Sequence, residues 1–111
     1  MEGKGIYYFN DGERYEGDWR NDKKEGKGIY YYNNGNKYDG EWKNNKMEGK
    51  GIFYHKNGDR YEGEFKYWLR DGNGILYYKN GDRIMGDYAN DKPIGIHVKL
   101  EKTGNVKVTK Y

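Results

Sequence analysis

The chain contains no cysteine, which excludes disulfides and thiolate metal sites and leaves its redox compartment unread. No apolar run approaches the length of a membrane span, and the first residues carry no apolar stretch of the signal-peptide type. Neither sign of charge dominates: 21 basic and 18 acidic residues are interspersed and leave a net +3. Such a balance is the usual case for solvated strands and argues against a polyanion-binding surface. Aliphatic residues are scarce. Only 33% of the 111 residues are hydrophobic, mean hydropathy is −1.41, and most of the apolar supply is 14 tyrosines and three tryptophans.

Low hydropathy of this kind often marks a disordered chain. Here the aromatic fraction of 18% and a strict periodicity oppose that reading. All 18 glycines fall on one lattice with a period of 23 residues. Gly3, Gly26, Gly49, Gly72 and Gly95 form one series, and Gly12, Gly35, Gly58, Gly81 and Gly104 a second. Gly5, Gly28, Gly51 and Gly74 form the third, and Gly17, Gly40, Gly63 and Gly86 the fourth. A period in this range marks a repeat architecture, in which each unit buries its apolar surface against its neighbours. A thin assembly of Tyr- and Gly-rich strands reconciles that with the low hydropathy, since aromatic rings give large contact area and tolerate water at a polar tip.

The repeat divides the chain into a half unit at 1–14, full units at 15–37, 38–60 and 61–83, and a degenerate closing unit at 84–111. Units 15–37 and 38–60 agree at 13 of 23 positions and differ mostly by Asp/Glu, Lys/Arg and Tyr/Phe exchanges, the drift of natural copies rather than of a consensus design. The chain opens mid-repeat, as an array beginning with a half unit or as a segment of a longer protein.

Each unit reads as two strands. Tyr15, Gly17 and Trp19 alternate with Glu16, Asp18 and Arg20, which puts the rings on one face. The second strand runs through Gly28, Ile29, Tyr30, Tyr31 and Tyr32, and Asn33-Asn34-Gly35 closes a hairpin, because Asn-Gly supplies the positive φ a tight turn needs. The expected fold is all-β: an elongated, single-layer antiparallel meander of about ten strands, on the order of 45 Å long at ~4.8 Å per strand. With Asn10-Asp11-Gly12 as a three-residue loop, Tyr8 opposes Arg14, Tyr7 opposes Tyr15, Gly5 opposes Gly17 and Lys4 opposes Asp18. The same register sets Lys27 against Glu41 and Lys50 against Glu64, as cross-strand ion pairs. The facing glycines leave a shallow trough on the aromatic face, over which a ring such as Trp19 is expected to lie.

The recurring pattern Y-x-G-x-W-x-N…G-x-G-x-[YF]-Y…N-G, carried in one unit by Tyr38, Gly40, Trp42, Asn44, Gly49, Gly51, Phe53, Tyr54, Asn57 and Gly58, resembles the MORN (membrane occupation and recognition nexus) repeat. The resemblance covers essentially the whole chain. It implies a twisted single-layer sheet of hairpins and a role as a protein-interaction scaffold, often cytoskeletal or ciliary, or in phospholipid binding. The expected setting is cytoplasmic, with association to cytoskeleton or membrane.

Departures from the pattern mark candidate sites. Where two units carry polar loops, the third has Tyr67, Trp68 and Leu69, which read either as a protein-binding anchor or as a local cap folded over the sheet. The aromatic ladder Tyr15, Trp19, Tyr38, Trp42, Tyr61, Phe65 and Tyr88 reads either as the packing that holds up the ribbon or as a partly exposed trough for a helix or extended peptide of a partner. Lys23, Lys24, Lys43 and Lys46 are the candidates for an anionic lipid surface. In the last unit Ile84 replaces Tyr, Tyr88 replaces Trp and His97 replaces Gly. Lys107 and Lys110 there fit a charged edge strand, and the unit is expected to cap the array.

No catalytic residue is assigned. His55 and His97 stand nearly two periods apart at repeat phases, without a Cys or Ser partner. The carboxylate pairs Glu16/Asp18, Asp39/Glu41 and Glu62/Glu64 recur with nearby lysines, as on a charge-balanced face. The Gly-x-Gly lacks the helix and Lys-Ser/Thr of a phosphate loop, and no cofactor, metal or nucleic acid is expected. The function expected is non-catalytic recognition of a protein segment by the aromatic trough, with lipid attachment and a spacing or self-associating role as alternatives.

Overall fold

The computed structural model describes residues 2–111. Ten strands form one open sheet in chain order: β1 (Gly3–Tyr8), β2 (Arg14–Arg20), β3 (Lys23–Tyr31), β4 (Lys37–Lys43), β5 (Lys46–Tyr54), β6 (Arg60–Lys66), β7 (Leu69–Tyr77), β8 (Arg83–Ala89), β9 (Lys92–Leu100) and β10 (Val106–Lys110). Every neighbouring pair is antiparallel, and the ribbon measures 48 × 24 × 19 Å. The first hairpin pairs Tyr8 with Arg14, Tyr7 with Tyr15, Gly5 with Gly17 and Lys4 with Asp18, the register read from the sequence.

Two kinds of turn alternate along the two long sides. On one side a three-residue turn follows each odd strand. At the first, the Phe9 N–H donates to the Glu13 carbonyl at 2.8 Å, and Gly12 stands at φ +92. On the other side a two-residue turn joins the strands of each unit, with both residues at positive φ: Asn21-Asp22, Asn44-Asn45, Tyr67-Trp68 and Asn90-Asp91. Asn and Asp tolerate that region because their short side chains bond locally.

The glycine lattice has two separate jobs. Two series sit at positive φ, one in the three-residue turns and the other in the bulges of β3, β5, β7 and β9 and, as Gly3, at the start of β1. The other two form a transverse row, since Gly17 faces Gly28, Gly28 faces Gly40, Gly40 faces Gly51 and Gly51 faces Gly63. At Gly28 a Cβ would fall inside the Tyr15 ring, and Gly51 and Gly74 stand likewise under Tyr38 and Tyr61. Tyrosine, rather than tryptophan, thus lies over bare backbone. The indoles bond to the same row, with Trp42 Nε1 donating to the Gly28 carbonyl at 3.0 Å.

These rings are the core. Trp19, Tyr15, Trp42, Tyr38, Phe65, Tyr61, Tyr88 and His97 touch in succession, edge to face, at centroid distances of 5.0–5.4 Å, and the exposed Tyr111 meets the end of the row at 4.9 Å from His97. Each such pair adds about 0.5–1.5 kcal/mol beyond its buried area. The first tyrosine hydroxyl of each full unit turns back to a carbonyl on its own strand: Tyr15 to Asp18 and Tyr38 to Glu41, both at 3.0 Å, and Tyr61 to Glu64 at 3.5 Å. In the last unit the roles trade strands. Ile84 stands where the tyrosine would be, His97 where the glycine would be, and the His97 ring covers Gly86 from the opposite strand. Its Nε2 lies 2.8 Å from the Asp87 carbonyl, which reproduces the tyrosine's bond.

The charged pairs follow a different plan from the one the register implies. Lys27 does face Glu41, and Lys50 faces Glu64. The carboxylates, however, turn to the bulge: Asp18 accepts the Lys27 N–H, Glu41 the Lys50 N–H at 2.9 Å and Glu64 the Asn73 N–H at 2.9 Å. A bulge frees backbone N–H groups, and a charge-assisted bond to one outweighs a solvated ion pair. On the reverse face, cations lie over rings of the paired strand: Arg14 over Tyr31 at 3.6 Å, Lys37 over Tyr54 and Arg60 over Tyr77.

Candidate functional site

The ladder closes the trough. Tyr15 and Tyr38 are fully buried, and Tyr61, Trp19, Trp42, Phe65 and Tyr88 are buried as well. They are corrected from a contact surface to packing, because a one-layer sheet must stack its rings on one another where no second layer covers them. Burial also raises the Tyr15 and Tyr38 phenols well above their ordinary value, and Tyr61 to about 12. Beside the ladder runs a second, half-buried row absent from the candidate list: Phe9, Tyr30, Tyr32 and Phe53 in ring contact, with Leu76 continuing it. Tyr30, Phe53 and Leu76 are the i+2 neighbours of the transverse glycines on the odd strands, and Phe9 and Tyr32 the i+4 neighbours, a signal the sequence does contain.

The third unit differs. A cavity of about 510 Å³ opens on its aromatic face, floored by Tyr61, Phe65, Phe53 and Leu76. It crosses the ribbon from Asn57 and Asp59 at the three-residue turns to Trp68 and Asp91 at the two-residue turns. Leu76 is smaller than the Tyr30 and Phe53 that occupy its phase in the preceding units, and His55 stands where they have Phe9 and Tyr32. His55 is exposed, lies tilted against Phe53 at 4.9 Å and forms part of the wall. His97 lies elsewhere, in the core, and among the described residues no three His, Asp or Glu gather as metal ligands.

Trp68 and Tyr67 are each 52% exposed at the tip of the β6–β7 hairpin, and Leu69 follows at 38%. Trp68 neither folds flat over the sheet nor stands free: it forms one wall of the cavity. Tyr67 turns outward between two ammoniums, Lys46 at 4.6 Å and Lys66 at 5.7 Å from its centroid. The backbone here is costly. Tyr67 has φ 50 and Trp68 φ 67, values for which the other units supply Asn or Asp. A bulky residue in that region costs about 1–2 kcal/mol. Trp68 also forgoes a bond. Asn45 donates its N–H to the Lys24 carbonyl and accepts the Lys24 N–H on its side chain at 2.8 Å. Trp68 donates to Met47 at 3.4 Å and has no acceptor to return.

Arg70 and Asp91 complete the rim. Arg70 Nε donates to Asp91 Oδ1 at 2.6 Å and its Nη2 to the Asp91 carbonyl at 2.9 Å, while the guanidinium lies 4.4 Å over Tyr88. The pair neutralises both charges, so Asp59 carries the remaining formal charge of the lining. Of the lysines considered for lipid, Lys23 and Lys43 are exposed at the two-residue turns and Lys46 flanks Tyr67. Lys24 is corrected: its ammonium is turned under the sheet's rings, and desolvation lowers its pKa.

No individually curated protein matches the chain significantly. Among solved structures it is similar to the TCP domain of SAS-4 (dCPAP) of Drosophila melanogaster, solved in complex with a proline-rich motif of Ana2 (dSTIL). The TM-score is 0.50 at 15% identity, over 93% of this chain and 69% of that one, a likeness of fold. A family model described as the MORN repeat matches residues 1–14, 15–37, 38–60 and 61–83 in unbroken succession. With its paired strands, glycine row and buried Tyr/Trp ladder, this chain belongs to the MORN repeat family.

Proposed function

We propose that the chain is a non-catalytic protein-interaction module that holds an extended segment of a partner across the aromatic cavity of its third unit. The observation that carries this is the Tyr67-Trp68 turn. Strained backbone kept at one of four equivalent turns, where Asn or Asp serves the others, is evidence that the side chains do something the fold does not require. What they do follows from their place: exposed Trp and Tyr beside an apolar cavity are the residues that dominate protein interfaces. The cavity crosses a ribbon 24 Å wide, the reach of about seven extended residues. A solved neighbour of like fold in complex with a proline-rich motif supports an extended partner over a helical one.

The test is direct. A random peptide library panned against the chain yields binders, which are then titrated calorimetrically. Trp68→Ala should weaken them at least ten-fold, whereas Tyr31→Ala on the reverse face should leave them unchanged. Equal binding to Trp68→Ala would remove the site from this cavity.

A second reading is attachment to an anionic membrane. The exposed Tyr67-Trp68-Leu69 tip is flanked by Lys46 and Lys66, with Lys43 and Lys23 on the same side, an arrangement suited to a charged interface. Sedimentation with vesicles containing anionic lipid, and loss of that binding on adding salt, would favour it. Equal retention on neutral vesicles would eliminate it.

A further inference from the structure

The repeat shows what a niche on its aromatic face can hold, because the chain fills two of them itself. Lys24, Met47 and Arg70 lie 23 residues apart, at one phase, and enter the aromatic face opposite Trp19, Trp42 and Phe65. The Lys24 ammonium rests 5.5–5.7 Å from the centroids of Phe9, Tyr15, Tyr30 and Trp42. Met47 is buried at the next position. Arg70 reaches the two rings at the matching phases, its centre 5.7 Å from Tyr61 and 4.4 Å from Tyr88, where Asp91 holds it. The space beside it, where His55 and Leu76 stand in place of Phe9 and Tyr30, is the cavity.

We infer that this cavity takes the side chain of a lysine from the partner segment, as the counterpart of the internal lysine that fills the first niche. The inference rests on the peptide-binding reading above. The chemistry is that of Lys24: an alkyl stem along apolar walls, here Leu76 and Phe53, and an ammonium beside rings, here the exposed Trp68 above a floor of Tyr61 and Phe65. Charge agrees with this: Arg70 is neutralised by Asp91, and Asp59 leaves a carboxylate on the lining.

The probe is n-butylammonium, the end of a lysine side chain, set against 1-butanol as its uncharged counterpart, both titrated into the ¹⁵N-labelled full chain. The Trp68 indole and the Leu76 amide should shift with the ammonium, with an affinity about five-fold above the alcohol's, the scale of a partly desolvated cation–π contact. Lys24→Ala should create a second site, read as a new shift of the Trp42 indole, and Lys24→Met, which copies Met47, should not. Equal response to the alcohol would overturn the lysine and leave an apolar peptide site standing. No response to either ligand at Trp68 would overturn the lysine and the peptide site together. A Lys24→Ala chain that still has one site would overturn the equivalence of the niches.

Discussion

Trp68 can be replaced by Asn or by Ala, and the difference between the two variants isolates the strain of the turn. Both remove the same indole, so the lost burial largely cancels. Half the ring is buried, on the order of 100 Å², which at about 25 cal/mol/Å² is an upper bound near 2.5 kcal/mol. Asn then recovers two things that Ala does not. It accepts φ 67 with less strain, worth about 0.5–1 kcal/mol. It also offers an acceptor to the Met47 N–H, as Asn45 does to Lys24 at 2.8 Å, worth about 0.5–1.5 kcal/mol. Trp68→Asn should therefore be more stable than Trp68→Ala by about 1–2.5 kcal/mol, and within about 1.5 kcal/mol of the parent chain. Urea unfolding followed by circular dichroism measures it, and a domain of this size moves its Tm by about 4–8 °C per kcal/mol. Both variants should lose peptide binding alike. If Asn and Ala are equally stable, the strain reasoning is wrong. If both fall by 3 kcal/mol or more, Trp68 is a cap of the core rather than a contact residue.

Two further outcomes follow from the core. His97→Gly should cost about 3 kcal/mol through a cavity and a lost hydrogen bond, and Ile84→Tyr about 1–3 kcal/mol through overpacking against His97. Together they restore the unit's usual arrangement, so the double variant should recover at least about 2 kcal/mol of the sum, and additive denaturation midpoints would refute the strand-swapped ring. In alkali, burial raises the Tyr15, Tyr30 and Tyr38 phenols and takes Tyr32 and Tyr61 to about 12. A folded pKa above the unfolded one gives stability that is complete below pH ~10, the unfolded value, and is lost as pH climbs through the folded values. Phenolate absorbance should thus show these rings ionising only above pH ~12, together with unfolding, whereas their ionisation near pH 10 in a still-folded chain would contradict their burial.

The strand order, the three-residue turns and the register across them were legible because each depends on period and backbone geometry, which the glycines record. The other connections read as five-residue loops, yet they are two-residue turns, with Lys23, Lys24 and Leu69 already on strands. Gly5 opposite Gly17 could be placed from Asn10-Asp11-Gly12 alone. What the lattice does not record is which way a side chain turns once two options are close in energy. Glu41 faces Lys27 across the strands, yet its carboxylate serves the Lys50 N–H, because a bulge in the partner strand frees that group and no residue count reveals the bulge. The same holds for Lys24, which reads as a loop cation and lies among four rings. At the candidate site, Tyr67-Trp68-Leu69 stood out by breaking the pattern, whereas the cavity itself did not. It arises from two modest reductions, Leu76 for an aromatic ring and His55 for a larger one. Each is unremarkable alone. A repeat turns them into a site because the neighbouring units keep the rings that these positions give up, so the space is bounded on both sides by walls the fold already maintains.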